Sequence, residues 1–163
     1  METHFGVYVL LAVFGLVLGC SFVFTTPVQD TLLTAPHCVE IEGRKYVLEA
    51  HLWRNFMPGP DISSDGGPLT VIVWITALDS MPFPSSISAD TVWVINGEEI
   101  WRAVLLDERP PTSEVFKSGW VARGGPKWEP GASVTVIVRL IVGDADTVSP
   151  YLLRTEARVE RVD

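Results

Sequence analysis

Only a few scattered groups in this chain carry chemistry. Asp61-Ile62-Ser63-Ser64-Asp65-Gly66 puts oxygen ligands at positions one, three and five and glycine at six, the opening of a twelve-residue calcium loop. The bidentate glutamate that such a loop needs at position twelve is replaced by Ile72, inside an apolar run. The cluster therefore reads as an ordinary polar loop, where Asp, Ser and Gly are favoured. His37, Cys38, His51 and Met57 have the donor types of an electron-transfer copper site. Such sites gather Cys, His and Met in one late loop, whereas here they are spread over the first part of the domain. His37 then reads as a linker residue and His51 as a surface strand residue. Glu98 and Glu99 are neighbours on a strand, face opposite ways and make a poor acid/base pair. Asp144 and Asp146 fall in a solvated connection. No Gly-x-Ser-x-Gly elbow, phosphate-cradling loop or His-Glu-x-x-His is present. The expectation is no catalytic residue, no metal and no cofactor. The six tryptophans remain. Trp74 lies in the most apolar run and is expected in the core. Core is the default for Trp53, Trp93, Trp101, Trp120 and Trp128 too, since each needs only one N–H satisfied. Exposed, such rings would stack on sugars or on a protein partner. Trp93, Trp101, Trp120 and Trp128 are the candidate binding residues.

Whatever these residues do depends on where the chain sits. Phe5–Phe24, FGVYVLLAVFGLVLGCSFVF, has no charged residue. About 20 apolar residues at 1.5 Å rise can cross a ~30 Å hydrocarbon core, so 5–24 reads as an uncleaved transmembrane anchor. The same stretch also reads as an export signal, 1–19, with an apolar segment at Gly6–Leu18 and the small Gly19 before the cleavage point. Val17-Leu18-Gly19-Cys20 resembles the lipobox of bacterial lipoproteins. That resemblance implies acylation of the Cys20 thiol, with Cys20 as the new N-terminus. Either way the expected location is the cell envelope, membrane-anchored, with the domain on the extracytoplasmic side.

Charge narrows the partners. Removing residues 1–19 takes away Glu2 and no base, so the formal charge moves from −8 to −7. An acidic chain without a basic stripe repels phosphate backbones, which excludes nucleic acid as a partner. It also lacks a polybasic patch for anionic lipid, so attachment must come from the N-terminus. Cys38 would be left as an odd thiol if Cys20 is acylated.

Residues 20–37 read as a tether, with two prolines and four threonines in Thr25–His37 and no clean periodicity. The domain is expected over 38–163, with a hydrophobic core of ordinary size. Short strands follow one another: Val39–Glu42, then Tyr46–Phe56 with Tyr46, Leu48, Ala50 and Leu52 on one face. Leu69–Leu78 is apolar on both faces and suits a central strand. Asn96-Gly97 between apolar runs predicts a type I′ hairpin joining Thr91–Ile95 to Glu98–Leu106, with Trp93 opposite Ile100 and Val92 opposite Trp101. The two tryptophans then point to opposite faces, and one face needs a cover. Gly119–Arg123, Ser133–Val142 and Tyr151–Val162 complete the set. The last alternates apolar and charged residues, as suits a strand with one wet side or a protected edge.

Seven or eight short strands, turns rich in Pro and Gly, and no amphipathic helix after the leader predict an all-β fold. The expected form is a two-sheet antiparallel immunoglobulin-like sandwich behind an N-terminal hydrophobic helix or signal. Trp128-Glu129-Pro130-Gly131 before Ser133–Val142 resembles the turn that many bacterial exported immunoglobulin-like domains place before a late strand. The function expected is non-enzymatic: a binding or accessory protein whose partner is an envelope protein or glycan. Two alternatives stand beside it, a carbohydrate-binding module using exposed tryptophans and a small secreted inhibitor presenting a loop such as Asp107–Lys117.

Overall fold

Apolar residues at every second position build the sheet. The computed structural model describes residues 27–59, 63–108, 110, 112–143 and 149–163. The leader, both anchor readings and Cys20 lie outside these residues. No helix among the described residues is long and apolar enough to cross a membrane. A short helix, α1 (Pro27–Leu33), precedes eight strands: β1 (Cys38–Ile41), β2 (Arg44–Asn55), β3 (Leu69–Ala77), β4 (Ile87–Asn96), β5 (Glu99–Val104), β6 (Lys117–Gly125), β7 (Ser133–Val142) and β8 (Ser149–Val162). They form one curled, mixed sheet in the order β5-β4-β7-β8-β2-β3-β6, with β1 added to β2.

Curling follows from two features. First, β8 changes partner along its length. Its Ser149–Arg158 part runs antiparallel to β7, and Val159–Val162 runs parallel to Leu52–Asn55 of β2. β8 is thus paired on both edges and is not a sheet edge, while its wet side is the face that exposes Glu156, Arg158 and Glu160. Second, the two ends of the strand order meet. The Leu106 N–H donates to the Val121 carbonyl at 2.8 Å, and the Val121 N–H donates to the Leu106 carbonyl at 3.1 Å. Trp101 of β5 also lies against Gly125 of β6, where a Cβ would stand 2.9 Å from its ring.

The period of two decides what is inside. On β3, Leu69, Val71, Val73, Ile75 and Ala77 are buried, while Thr70, Ile72, Trp74 and Thr76 between them are half-buried on the outer face. Trp74 is therefore not a core residue, contrary to expectation: a strand apolar on both faces gives no contrast from which to choose the inner one. The core is filled by these β3 residues together with Tyr46, Leu48, Leu52, Val92, Val94, Val134, Val136, Val138, Leu140, Leu153 and Val159. Fully burying such a side chain is worth about 1.5–3 kcal/mol.

The outer face of β4, β7 and β8 is also apolar, and α1 covers it. Leu32 (3% exposed) and Ala35 (5%) pack on Ile95 and Ile137, with Leu33, Trp93, Ile100 and Leu152 around them. The segment expected to be a tether thus contains a docked helix, and that helix supplies the cover the hairpin needed. Arg154 of β8 holds its end. One Nη donates to the Leu33 carbonyl, the other lies 2.9 Å from His37 Nε2, and the Arg154 backbone N–H donates to Pro36 O at 2.9 Å. A guanidinium only donates, so His37 Nε2 is the acceptor.

Turn chemistry explains a second difference. The β4–β5 ladder pairs Asn96 with Glu99, Val94 with Trp101 and Trp93 with Arg102. Gly97 and Glu98 are the turn residues, and only Gly97 has positive φ, at 60°. Glycine at the first central position makes a type II′ turn, one residue later than the expected type I′. The shift moves each cross-strand pair but keeps the faces, so Trp93 still points out and Trp101 in. The β1–β2 turn is the one with two positive φ values, 52° at Glu42 and 77° at Gly43.

Candidate functional site

At the end of the sheet where β4 and β6 begin, two connections lean over the core and leave a groove of about 420 Å³. Phe83, Pro84 and Ser85 come from the β3–β4 connection, Asp107 and Val115 from the β5–β6 connection, and Ile87, Ser88, Lys117, Ser118 and Trp120 from the strand starts. That volume suits a small molecule or one projecting side chain. Its lining is largely polar, with Ser85, Ser88, Asp107, Lys117 and Ser118 around two aromatic side chains. Phe83 meets Trp120 edge to face, with centroids 6.2 Å apart, and meets Tyr46 in the same way at 5.8 Å.

The walls are braced. Arg44 makes a bidentate pair with Asp79 at 2.6 and 2.9 Å and donates to the Met81 and Pro82 carbonyls at 3.1 and 3.2 Å. The bond from Arg44, with the Met81 N–H, holds the Asp79 pKa at about 2. The two connections are joined by a bond from Phe83 N–H to Val115 O at 2.8 Å. Behind the groove, Lys117 bonds Glu49 at 3.1 Å and Glu114 at 3.0 Å. Burial works against the Lys117 charge, but its bonds to Glu114 and Glu49 outweigh it and raise its pKa.

Lys117 is shared with a second, more open depression of about 350 Å³, lined also by Glu49, Trp74, Thr112, Ser113 and Glu114. Gly119 permits this shape. It pairs with Trp74 across the strands, and a Cβ there would lie 2.7 Å from Pro110 and 2.8 Å from Trp74. An aromatic side chain beside carboxylates, hydroxyls and an ammonium offers stacking and hydrogen bonding together.

The four candidate tryptophans separate. Trp120 (5% exposed) forms part of the groove floor. Trp128 (8%) is in the core and donates its N–H to Glu99. Trp101 packs partly buried against the core, and Trp93 lies beside α1 with Arg102 over its ring at 5.9 Å. Trp53 stacks on His51, centroids 5.1 Å apart, and His51 faces Glu160 at 3.4 Å. Cys38 is a free, exposed thiol. Met57 is exposed, and His37 is held by Arg154. Asp65 of the calcium-like loop is tied to Ser63 and Lys127, which together hold its pKa at about 2. Among the described residues no group of three or more His, Cys, Asp or Glu could hold a metal ion.

No protein-family model matches this chain, and no curated protein matches it.

The sequence reading missed Phe83, Lys117 and the role of Trp74, which come together only through the topology. It also missed Arg54, 2% exposed. Arg54 donates to the carbonyls of Gly67, Lys127 and Trp128, each at 3.0 Å, and of Asp65. The guanidinium stitches the β2–β3 and β6–β7 connections together at the end opposite the groove. Extending the inward set Tyr46, Leu48, Ala50, Leu52 by one step reaches Arg54, and that was the available signal.

Proposed function

We propose that this protein is a non-enzymatic binding domain of the cell envelope, attached to the membrane through its N-terminus and binding an envelope partner in the groove beside Phe83 and Trp120. The observation that carries the reading is the groove itself: a concave, largely polar surface around Phe83 and Trp120, between two connections held in place by Arg44 and by the Phe83–Val115 bond. Preformed walls reduce the ordering penalty of binding. The chain is further read as an immunoglobulin-like sandwich. Supporting that reading is the way β8 serves β7 on one side and β2, in parallel, on the other. Lipoprotein and transmembrane forms both fit the leader.

A second reading, glycan binding, is favoured by Trp74 in its depression with Glu49, Glu114 and Lys117. Titration with peptidoglycan fragments, followed by tryptophan fluorescence, separates the two. Glycan binding predicts saturable titration abolished by Trp74→Ala and retained by Ser118→Trp, which fills the groove. The groove reading predicts that Ser118→Trp alone removes binding to an envelope protein fraction. If neither variant changes any binding, the site is wrong. Intact mass of membrane-extracted protein tests the anchor: loss of residues 1–19 with added acyl mass, absent in Cys20→Ser, is the lipoprotein outcome.

A further inference from the structure

We infer that α1 is a rigid strut that holds the domain upright on the membrane with the groove at the far end, so that a ligand reaches the groove from the aqueous side and not from the bilayer. The inference rests on the proposed N-terminal attachment and goes beyond it by fixing an orientation.

The link is short in sequence. Phe24 closes the apolar stretch and only Thr25 and Thr26 separate it from Pro27, where α1 begins. From Cys20 to Pro27 is seven residue steps, which at ~3.3–3.6 Å each reach about 25 Å at most. Past that point the segment is fastened along its length. Gln29 Nε2 donates to Gly97 O at 3.2 Å, Leu32 and Ala35 are buried, and Arg154 binds Leu33 and Pro36.

These contacts also give a direction. Gln29 is at the β4–β5 turn, whereas Leu33 and Pro36 are at Arg154, which pairs across the sheet with Ile137. Ile137 in turn pairs with Trp93, partway down β4. The helix therefore enters over the β4–β5 turn and runs inward. β4 ends at that turn with Asn96, and it begins in the groove with Ile87. Nine residue steps at ~3.3 Å put the groove about 30 Å from the entry point, on the side away from the anchor.

Fluorescence quenching on vesicles tests this with the full-length protein. A genetically encoded fluorescent amino acid replaces Glu98, at the entry end, or separately Ser85, at the groove. Each protein is reconstituted into phosphatidylcholine vesicles carrying a nitroxide on the lipid headgroup. The expected result is quenching several-fold stronger at Glu98 than at Ser85. Inserting about ten Gly/Ser residues between Thr26 and Pro27 makes a flexible link without touching the domain, and should erase most of that difference. Equal quenching at the two positions before insertion, or stronger quenching at Ser85, overturns the strut. A difference that survives the insertion unchanged also overturns it, because α1 would then not be setting the orientation. Protein that fails to float with the vesicles defeats the attachment itself, and the orientation with it, and is told apart by the absence of quenching at either position.

Discussion

Replacing Arg54 by methionine keeps a long side chain on the inner face of β2 and removes every donor. The bonds to the Gly67 and Trp128 carbonyls are buried, and those to Lys127 and Asp65 are partly buried. An orphaned buried acceptor costs about 1–3 kcal/mol, so the first two alone lose roughly 2–6 kcal/mol. The partly buried pair can recover water. Methionine also escapes the desolvation penalty of a buried cation, which offsets part of the loss. The net expectation is a destabilisation of about 3–5 kcal/mol, within the range for removing one side of a buried charged network. Urea unfolding should show it as a lower midpoint with an unchanged slope, since a similar surface is exposed on unfolding. Arg54→Lys should lose more than half as much, because three donors on one nitrogen cannot span carbonyls from two connections. A loss below about 1 kcal/mol for methionine, or wild-type stability for lysine, would refute the claim that these loops depend on the guanidinium.

Asp79→Asn should lower the melting temperature at neutral pH, by breaking the brace from Arg44 to the groove wall. The folded pKa, about 2, lies below the ordinary carboxylate value, so the contribution is fully present above about pH 4 and is lost as pH falls towards 2. Melting curves for the two proteins should therefore differ by a constant amount from pH 5 to 8 and converge in acid; a gap that stays constant down to pH 2 contradicts the pairing. Glu42→Asn should stabilise the β1–β2 turn by about 0.5–1 kcal/mol, since asparagine tolerates the positive φ that glutamate must adopt there. Chemical denaturation measures this directly, and a destabilised variant would mean that Glu42 makes a compensating interaction.

Strands with one polar face were readable from the chain. Tyr46, Leu48 and Leu52 face the core, as their spacing requires, and Leu153 and Val159 do the same on β8. Where the alternation has no polar contrast it fixes a strand but not its inner side, and Trp74 was misplaced for that reason. The hairpin moved by one residue because Gly97 can serve either of two primed turns, and local sequence does not choose between them. α1 carries a start signal in Pro27 with Asp30 in its first turn, but seven residues offer too little periodicity to be heard over the prolines and threonines around them. Trp120 and the Asp107–Lys117 loop could be singled out from the chain, but the groove that they share with Phe83 could not. Phe83, Asp107 and Trp120 lie on separate segments, which the Leu106–Val121 bridge and the Phe83–Val115 bond gather.

That bridge has a consequence for crowding. Identical domains held on one surface meet one another repeatedly in similar orientations, the condition under which open strand edges add end on end into aggregates. The strand order ends at β5 and β6, and β5 carries Val104 at 71% exposure, a side chain suited to such pairing. Two hydrogen bonds exchanged between Leu106 and Val121 of β6, together with Trp101 seated on Gly125, turn those ends towards each other. The bridge thereby occupies part of that edge, and neighbours on the proposed membrane surface find this stretch of backbone already taken.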